Sequence, residues 1–134
     1  MRSVFFDTNV WLPAVLSDGF SRRLVRAVEV DGSVVISAQL LDEVTEKLAL
    51  KFRTSWETIE RATVLMEKSG RMFAEAVAPY AASPDPDDAI LLAQAMQAGC
   101  EYFVTNDGPL LALQCIGGME IVTPRALAKV LGVT

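Results

Sequence analysis

Apolar residues along this chain follow two rhythms: short unbroken runs, and longer stripes with a spacing of three or four. The runs Ser3–Phe6, Ser33–Ile36, Tyr102–Thr105 and Met119–Val122 are partly β-branched and bounded by turn-forming or charged residues, which predicts buried strands. Met72–Val77 is a weaker candidate of the same kind. Between the runs lie helical stripes. Phe20, Leu24 and Val28 make one, with Arg22, Arg23, Arg26 and Glu29 facing elsewhere. Ser37 suits the N-cap of a helix running to about Phe52, and Trp56, Ile59 and Met66 mark another that ends near Gly70. Pro86 fits the first position of a helix reaching Ala98, with Gly99 just past its end, and Pro124 opens a final helix closed by Gly132.

Strands that alternate with helices of this length imply βαβ units and a mainly parallel sheet covered on both faces. No repeat, linker or low-complexity segment interrupts the pattern, so the 134 residues are expected to form one domain, 1–134, around one core. With 51% hydrophobic and 22% charged residues the composition is that of an ordinary soluble domain. No apolar run approaches a membrane span and no signal segment opens the chain, which predicts a cytoplasmic protein.

Two features of the composition narrow the chemistry. The chain has no histidine, which excludes Ser-His-Asp and Cys-His nucleophilic catalysis, His-ligated zinc and a histidine base together. Cys100 and Cys115 show no metal-ligand spacing and are too few for a disulfide framework, so they read as thiols in a reducing compartment. The net charge of −5 argues against a broad electrostatic grip on nucleic acid and predicts modest intrinsic affinity for it. Chemistry must then come from carboxylates, hydroxyls, amines or a hard metal ion.

Four acids stand where a parallel α/β sheet binds its ligands, beyond the carboxyl ends of the strands. Asp7 follows the first strand in VFFDTNVW; Glu43 lies in the next helix within SAQLLDEV; Asp88 is near a helix start in SPDPDDAILLAQA; Asp107 follows a later strand in VTNDGPLL. Each has a plainer explanation. Asp7 or Thr8 can cap the following helix, Asp85 is a natural N-cap before Pro86, and Asp88 then complements the helix dipole. Asp107 can cap a short helix starting at Pro109, and Glu43 can be a solvated charge. Taken singly these alternatives stay open; their convergence on one edge is what favours a site. Helical periodicity chooses among neighbours. Glu43 borders the stripe Leu40, Leu41, Val44 and Leu48, whereas Glu46 points nearly opposite and Asp42 lies further round. Asp88 shares a face with Leu91, Leu92 and Ala95, while Asp87 faces solvent beside Gln94.

Converged carboxylates raise one another's pKa and destabilise a fold unless a cation neutralises them. Oxygen-only ligation suits Mg²⁺ or Mn²⁺, ions that activate water and stabilise a departing phosphoryl oxygen. Thr8, Asn9, Thr105 and Asn106 can add hydroxyl or amide contacts, or serve only as turn and cap residues.

VFFDTNVW, SAQLLDEVTEKLALKF, DPDDAILLAQA, VTNDGPLL and the closing EIVTPRAL, taken together and in order, resemble a PIN domain, and more narrowly the PIN-family toxins of bacterial and archaeal toxin–antitoxin pairs, the VapC group. The resemblance implies a three-layer α/β/α sandwich with Mg²⁺- or Mn²⁺-dependent ribonuclease activity. It implies Asp7, Glu43, Asp88 and Asp107 as catalytic and metal-holding acids, and Asn9 as an auxiliary polar residue. Homodimerisation and neutralisation by a small antitoxin are further implications. One departure stands out: Asn106 occupies a position where related sequences often carry glycine, which bears on substrate preference and removes no acid.

Other readings compete. A haloacid-dehalogenase-type phosphatase needs an acid two residues after its nucleophile, where this chain has Asn9. A receiver-type phosphoacceptor needs a lysine after a late strand, where Thr123 precedes Pro124. A non-catalytic binding module would use the acids for a structural ion or for none. If RNA crosses the acidic edge, Arg22, Arg23, Arg26, Lys47, Lys51 and Arg53 are the candidate backbone contacts, though solvated helix faces explain them too. Trp56 and Ile59 fit a dimer surface or the core equally well.

Overall fold

A computed structural model describes residues 2–134 of the chain. The chain alternates strand and helix through most of its length: β1 (Arg2–Phe6), α1 (Thr8–Leu16), α2 (Phe20–Asp31), β2 (Gly32–Ser37), α3 (Ala38–Leu50), α4 (Trp56–Ser69) and β3 (Gly70–Phe73). After a long connection come α5 (Pro86–Gln97), β4 (Tyr102–Val104), α6 (Gly108–Leu111), β5 (Cys115–Ile116), β6 (Met119–Val122) and α7 (Pro124–Leu131). The strands form one sheet in the order β3-β2-β1-β4-β6-β5, parallel throughout except for the β5–β6 hairpin at the edge.

Val4, Phe5 and Phe6 are consecutive and all buried. Successive strand side chains point to opposite faces, so helices must cover both sides of the sheet, giving the expected three-layer α/β/α sandwich. Phe5 pairs with Phe103 in register and their rings stack at 5.5 Å, which ties β1 to β4 on one face. On the helices, Leu24 and Val28 of α2, Leu40, Val44 and Leu48 of α3, and Leu91, Leu92 and Ala95 of α5 are the buried stripes that periodicity predicts. No described helix is long and apolar enough to cross a membrane.

The chain leaves β1, builds outward through β2 to β3, and then returns to lay β4 on the other side of β1. The junction of β1 and β4 is therefore the topological switch point, where the loops at the strand ends diverge and open a crevice.

The structure corrects several boundaries. The weak strand candidate Met72–Val77 shifts back to Gly70–Phe73, because pairing with Val34–Ser37 begins directly at the C-cap of α4. Gly70 permits that contact: a Cβ there would meet the side chain of Ile36 at 2.6 Å. α3 stops at Leu50, two residues before Phe52, since the amides of Lys51 and Phe52 both turn back onto the Lys47 carbonyl and Arg53 adopts a positive φ of 49°. β5 escaped the sequence pattern because two residues carry no periodicity. Trp56 is not a core residue; it opens α4 with 72% of its surface exposed, while Ile59 packs half-buried against the core.

Candidate active site

The crevice at the switch point holds a cavity of about 440 Å³. Asp7, Glu43, Asp88 and Asp107, drawn from four separate segments, all line it. Glu46, Asp85 and Asp87 do so as well, so seven carboxylates face one cationic side chain, Lys47.

Each member is placed by local structure. Asp7 is the N-cap of α1: its backbone is extended, its Oδ1 accepts from the Thr8 amide at 2.8 Å, and its own amide continues the β1–β4 ladder by donating to the Val104 carbonyl at 2.8 Å. Its Oδ2 accepts from the Thr105 hydroxyl at 2.7 Å and from Asn9 Nδ2 at 3.2 Å. Glu43 stands at the border of the buried stripe of α3, and its Oε2 accepts from the Thr8 hydroxyl at 3.1 Å. Asp107 caps α6 by accepting from the Leu110 amide at 3.0 Å, and Asp85 caps α5 by accepting from the Asp87 amide at 2.9 Å. Asp88, in the first turn of α5, is half-buried. Cap and cavity roles thus coincide: Asp7, Asp85 and Asp107 each cap a helix and line the cavity.

Behind the cavity wall, Thr105 is fully buried and joins the parts. Its oxygen donates to Asp7 and accepts from Asn9 Nδ2 at 3.2 Å and from the Asp107 amide at 3.0 Å. The Asn106 amide donates to Asn9 Oδ1 at 3.0 Å. Thr8, Asn9, Thr105 and Asn106 therefore form one network, although Thr105 and Asn106 stand outside the cavity lining.

The charges strain against one another. Asp88 is pushed up to about 7, first by burial and then by the charges of Asp7, Asp85, Asp107 and Glu43. Burial also raises Asp7, opposed by its bonds from Thr105 and Thr8 and by the Lys47 charge. Glu43 is raised by burial and by Asp7, opposed by the Thr8 hydroxyl and Lys47. An oxygen-only, over-charged set of this kind fits a hard divalent cation. Among the described residues no group of three or more acids, cysteines or histidines is already drawn together as a cage, so the acids are neighbours around a cavity.

Asp87 is exposed, as expected, and also lines the cavity. Glu46 differs from expectation: expected nearly opposite the buried stripe of α3, it too reaches the cavity. The stripe of buried positions marks which face enters the core, but the cavity opens beside that face, where a long side chain one turn on can still lean in. Asp42 is exposed and outside the lining, as expected. Gln39, which no sequence pattern singled out, lines the cavity one turn before Glu43. Of the six basic candidates only Lys47 does so. Arg22 instead donates to the Ala14 and Val15 carbonyls at the end of α1, and Arg26 pairs with Asp18 at 3.2 Å. Arg23, Lys51 and Arg53 are exposed elsewhere.

Comparison with known proteins agrees with this architecture. The PIN-domain profile matches residues 3–108, and the chain belongs to the PIN-domain family. No curated protein matches the chain. Among solved structures, a chain from the crystal structure of VapBC2 from Rickettsia felis bound to a DNA fragment from their promoter superposes with a TM-score of 0.65 at 11% identity, covering 91% of this chain and 98% of that one. PAE2754 from Pyrobaculum aerophilum superposes with a TM-score of 0.65 at 14% identity, covering 98% of this chain and 96% of that one. At such identities the likeness is one of fold.

Proposed function

We propose that this chain is a Mg²⁺- or Mn²⁺-dependent ribonuclease that hydrolyses RNA phosphodiester bonds as the toxin of a toxin–antitoxin pair. The observation that carries the reading is the convergence of Asp7, Glu43, Asp88 and Asp107 on one cavity in a chain without histidine. PIN domains are typically nucleases, which supports hydrolysis. The fold shared with a chain of the Rickettsia felis VapBC2 assembly supports a partnered toxin.

Asp7, Asp88 and Asp107, with Glu43, would hold the ion. When bound, it supplies activation of water and stabilisation of the departing oxygen. The chain's own residues set the stage. Thr105, Asn9 and the Thr8 amide fix both oxygens of Asp7, so its lone pairs reach the cavity in one orientation. The Thr8 hydroxyl steers Glu43 in the same way. Without the ion, burial and the neighbouring carboxylates push Asp88 up to about 7, a charge that a bound cation would favour.

A labelled single-stranded RNA incubated with the purified protein tests the reading. Cleavage is expected in Mn²⁺ or Mg²⁺, none in EDTA, and a loss on the order of a hundredfold or more in Asp7→Asn with folding intact. Metal-dependent cleavage unchanged in Asp7→Asn, or hydrolysis of phosphomonoesters in place of RNA, overturns it. The partner is expected to be a small antitoxin encoded upstream that suppresses cleavage, and the active form a homodimer by light scattering.

A further inference from the structure

Four side chains of α3 line the cavity: Gln39, Glu43, Glu46 and Lys47. At about 100° per residue they share an arc of about 100°, immediately beside the buried arc of Leu40, Val44 and Leu48. One wall of the cavity is therefore a polar stripe of a single rigid helix, and Lys47 is its only cation.

Lys47 is unusual in what it leaves undone. Seven carboxylates share its cavity, yet it makes no ion pair; among the described residues the one ion pair is Arg26 with Asp18. A lysine placed only to neutralise the acids would be expected to close onto one of them. Glu43, one turn back and the natural partner at that spacing, takes the Thr8 hydroxyl instead. Lys47 is exposed at the cavity mouth with three donors free and a strongly hydrated point charge, the form in which lysine takes phosphate oxygens.

Resting on the ribonuclease reading, we infer that Lys47 anchors the substrate, donating to a non-bridging phosphate oxygen of an RNA strand and so registering the neighbouring phosphodiester against Asp7 and Asp88. The backbone phosphate would otherwise meet only negative charge at this mouth, and a net charge of −5 supplies no general attraction. One built-in cation is then the difference between repelling the strand and seating it. Lys47 does no chemistry in this role; it acts on where the strand lies.

The test uses Lys47→Met and Lys47→Arg with Lys129→Met as a charge-matched control, since Lys129 belongs to α7 and lies outside the cavity lining. Binding of a fluorescent single-stranded RNA is measured in Ca²⁺ at several salt concentrations, and cleavage of the same RNA in Mn²⁺. Lys47→Met is expected to raise Kd and KM about tenfold with kcat nearly unchanged. The slope of log Kd against log salt should fall by about 0.7, the share of one phosphate contact on a single strand. Lys47→Arg should restore most of the affinity and Lys129→Met should match the wild type. Kd and salt slope unchanged in Lys47→Met, or changed equally in Lys129→Met, overturn the inference even where cleavage proceeds. Conversely, a wild type that binds RNA in a Lys47-dependent way but never cleaves it overturns the ribonuclease reading alone. Failure of the wild type to bind RNA overturns both.

Discussion

The Thr105 hydroxyl donates to Asp7 Oδ2 at 2.7 Å across the ends of the two central parallel strands, with both residues buried. Because the same oxygen accepts from Asn9 and from the Asp107 amide, it couples the two strand-end aspartates through one atom. Replacing Thr105 by valine keeps the shape and removes the hydroxyl. Asp7 then loses a donor that favours its charged form, and two partly buried donors lose an acceptor. A stability loss of about 1–3 kcal/mol follows, together with a fall in cleavage rate larger than the fall in RNA affinity. Thr105→Ser should restore most of both. Thermal denaturation alongside cleavage kinetics checks this, and a Thr105→Val variant with wild-type Tm and kcat would show the bond to be idle.

Asp88 makes the fold sensitive to pH in a direction opposite to that of a salt-bridged acid. Its carboxyl titrates near 3.8 when free and at about 7 in the folded chain, so the folded state holds the proton more tightly. The contribution to stability is therefore complete below pH 3.8, declines as pH rises and is lost above about 7. Asp88→Asn removes the titration. The variant should match the wild type in Tm near pH 4, exceed it at pH 8, and lack metal-dependent cleavage. A Tm difference that does not change between those pH values would exclude the burial and charge repulsion that raise Asp88.

Much of this site can be read from the order of residues, for an identifiable reason. Asp7 follows β1 directly and Asp107 stands three residues past the end of β4, so locating those strands locates their carboxylates, and Pro86 fixes the start of α5 and with it Asp88. Glu43 needed one more step, the boundary of a buried helical stripe. Glu46, Asp87 and Gln39 lay beyond that method, because reaching a cavity depends on side-chain length and on where the neighbouring helix stands, neither of which leaves a period in the sequence. The same holds for the six basic residues. Arg22 and Lys47 look alike along the chain, and only the packing of α1 against α2 commits Arg22 to backbone carbonyls. The two-residue strand β5 was beyond any periodicity argument.

Gly32 shows a constraint of a different kind. It is paired with Arg2 at the first rung of the β1–β2 ladder, and a Cβ on it would collide with the Arg2 carbonyl oxygen. Backbone cannot give way as a flexible side chain can, so Gly32→Ala should displace the start of β2 and cost about 1–3 kcal/mol. Gly118, around which a Cβ would meet nothing, is the comparison, and Gly118→Ala should leave Tm nearly unchanged. Equal Tm values for the two variants would contradict the close approach of the strands.

Divalent ions should stabilise this protein, and the dependence on individual acids identifies where they bind. Without a cation the charged forms of Asp7, Glu43 and Asp88 are all disfavoured in the folded chain, so their ionisation weakens it. An ion that binds the folded state alone adds about 2.7 kcal/mol at a hundredfold excess over its Kd. Titrating Mn²⁺ at pH 8 should therefore raise Tm by several degrees, whereas at pH 5, with Asp88 protonated, the rise should be smaller. Asp7→Asn should begin from a higher metal-free Tm, since burial disfavours the Asp7 charge, and should gain little from Mn²⁺. Magnesium should act in the same direction, as expected of oxygen-only ligation. Exchange of Asp42 for asparagine is the control, because that acid is exposed and absent from the cavity. Should Asp42→Asn lose the Mn²⁺ response while Asp7→Asn retains it, the ion would be binding the general surface charge and not the acids at the switch point.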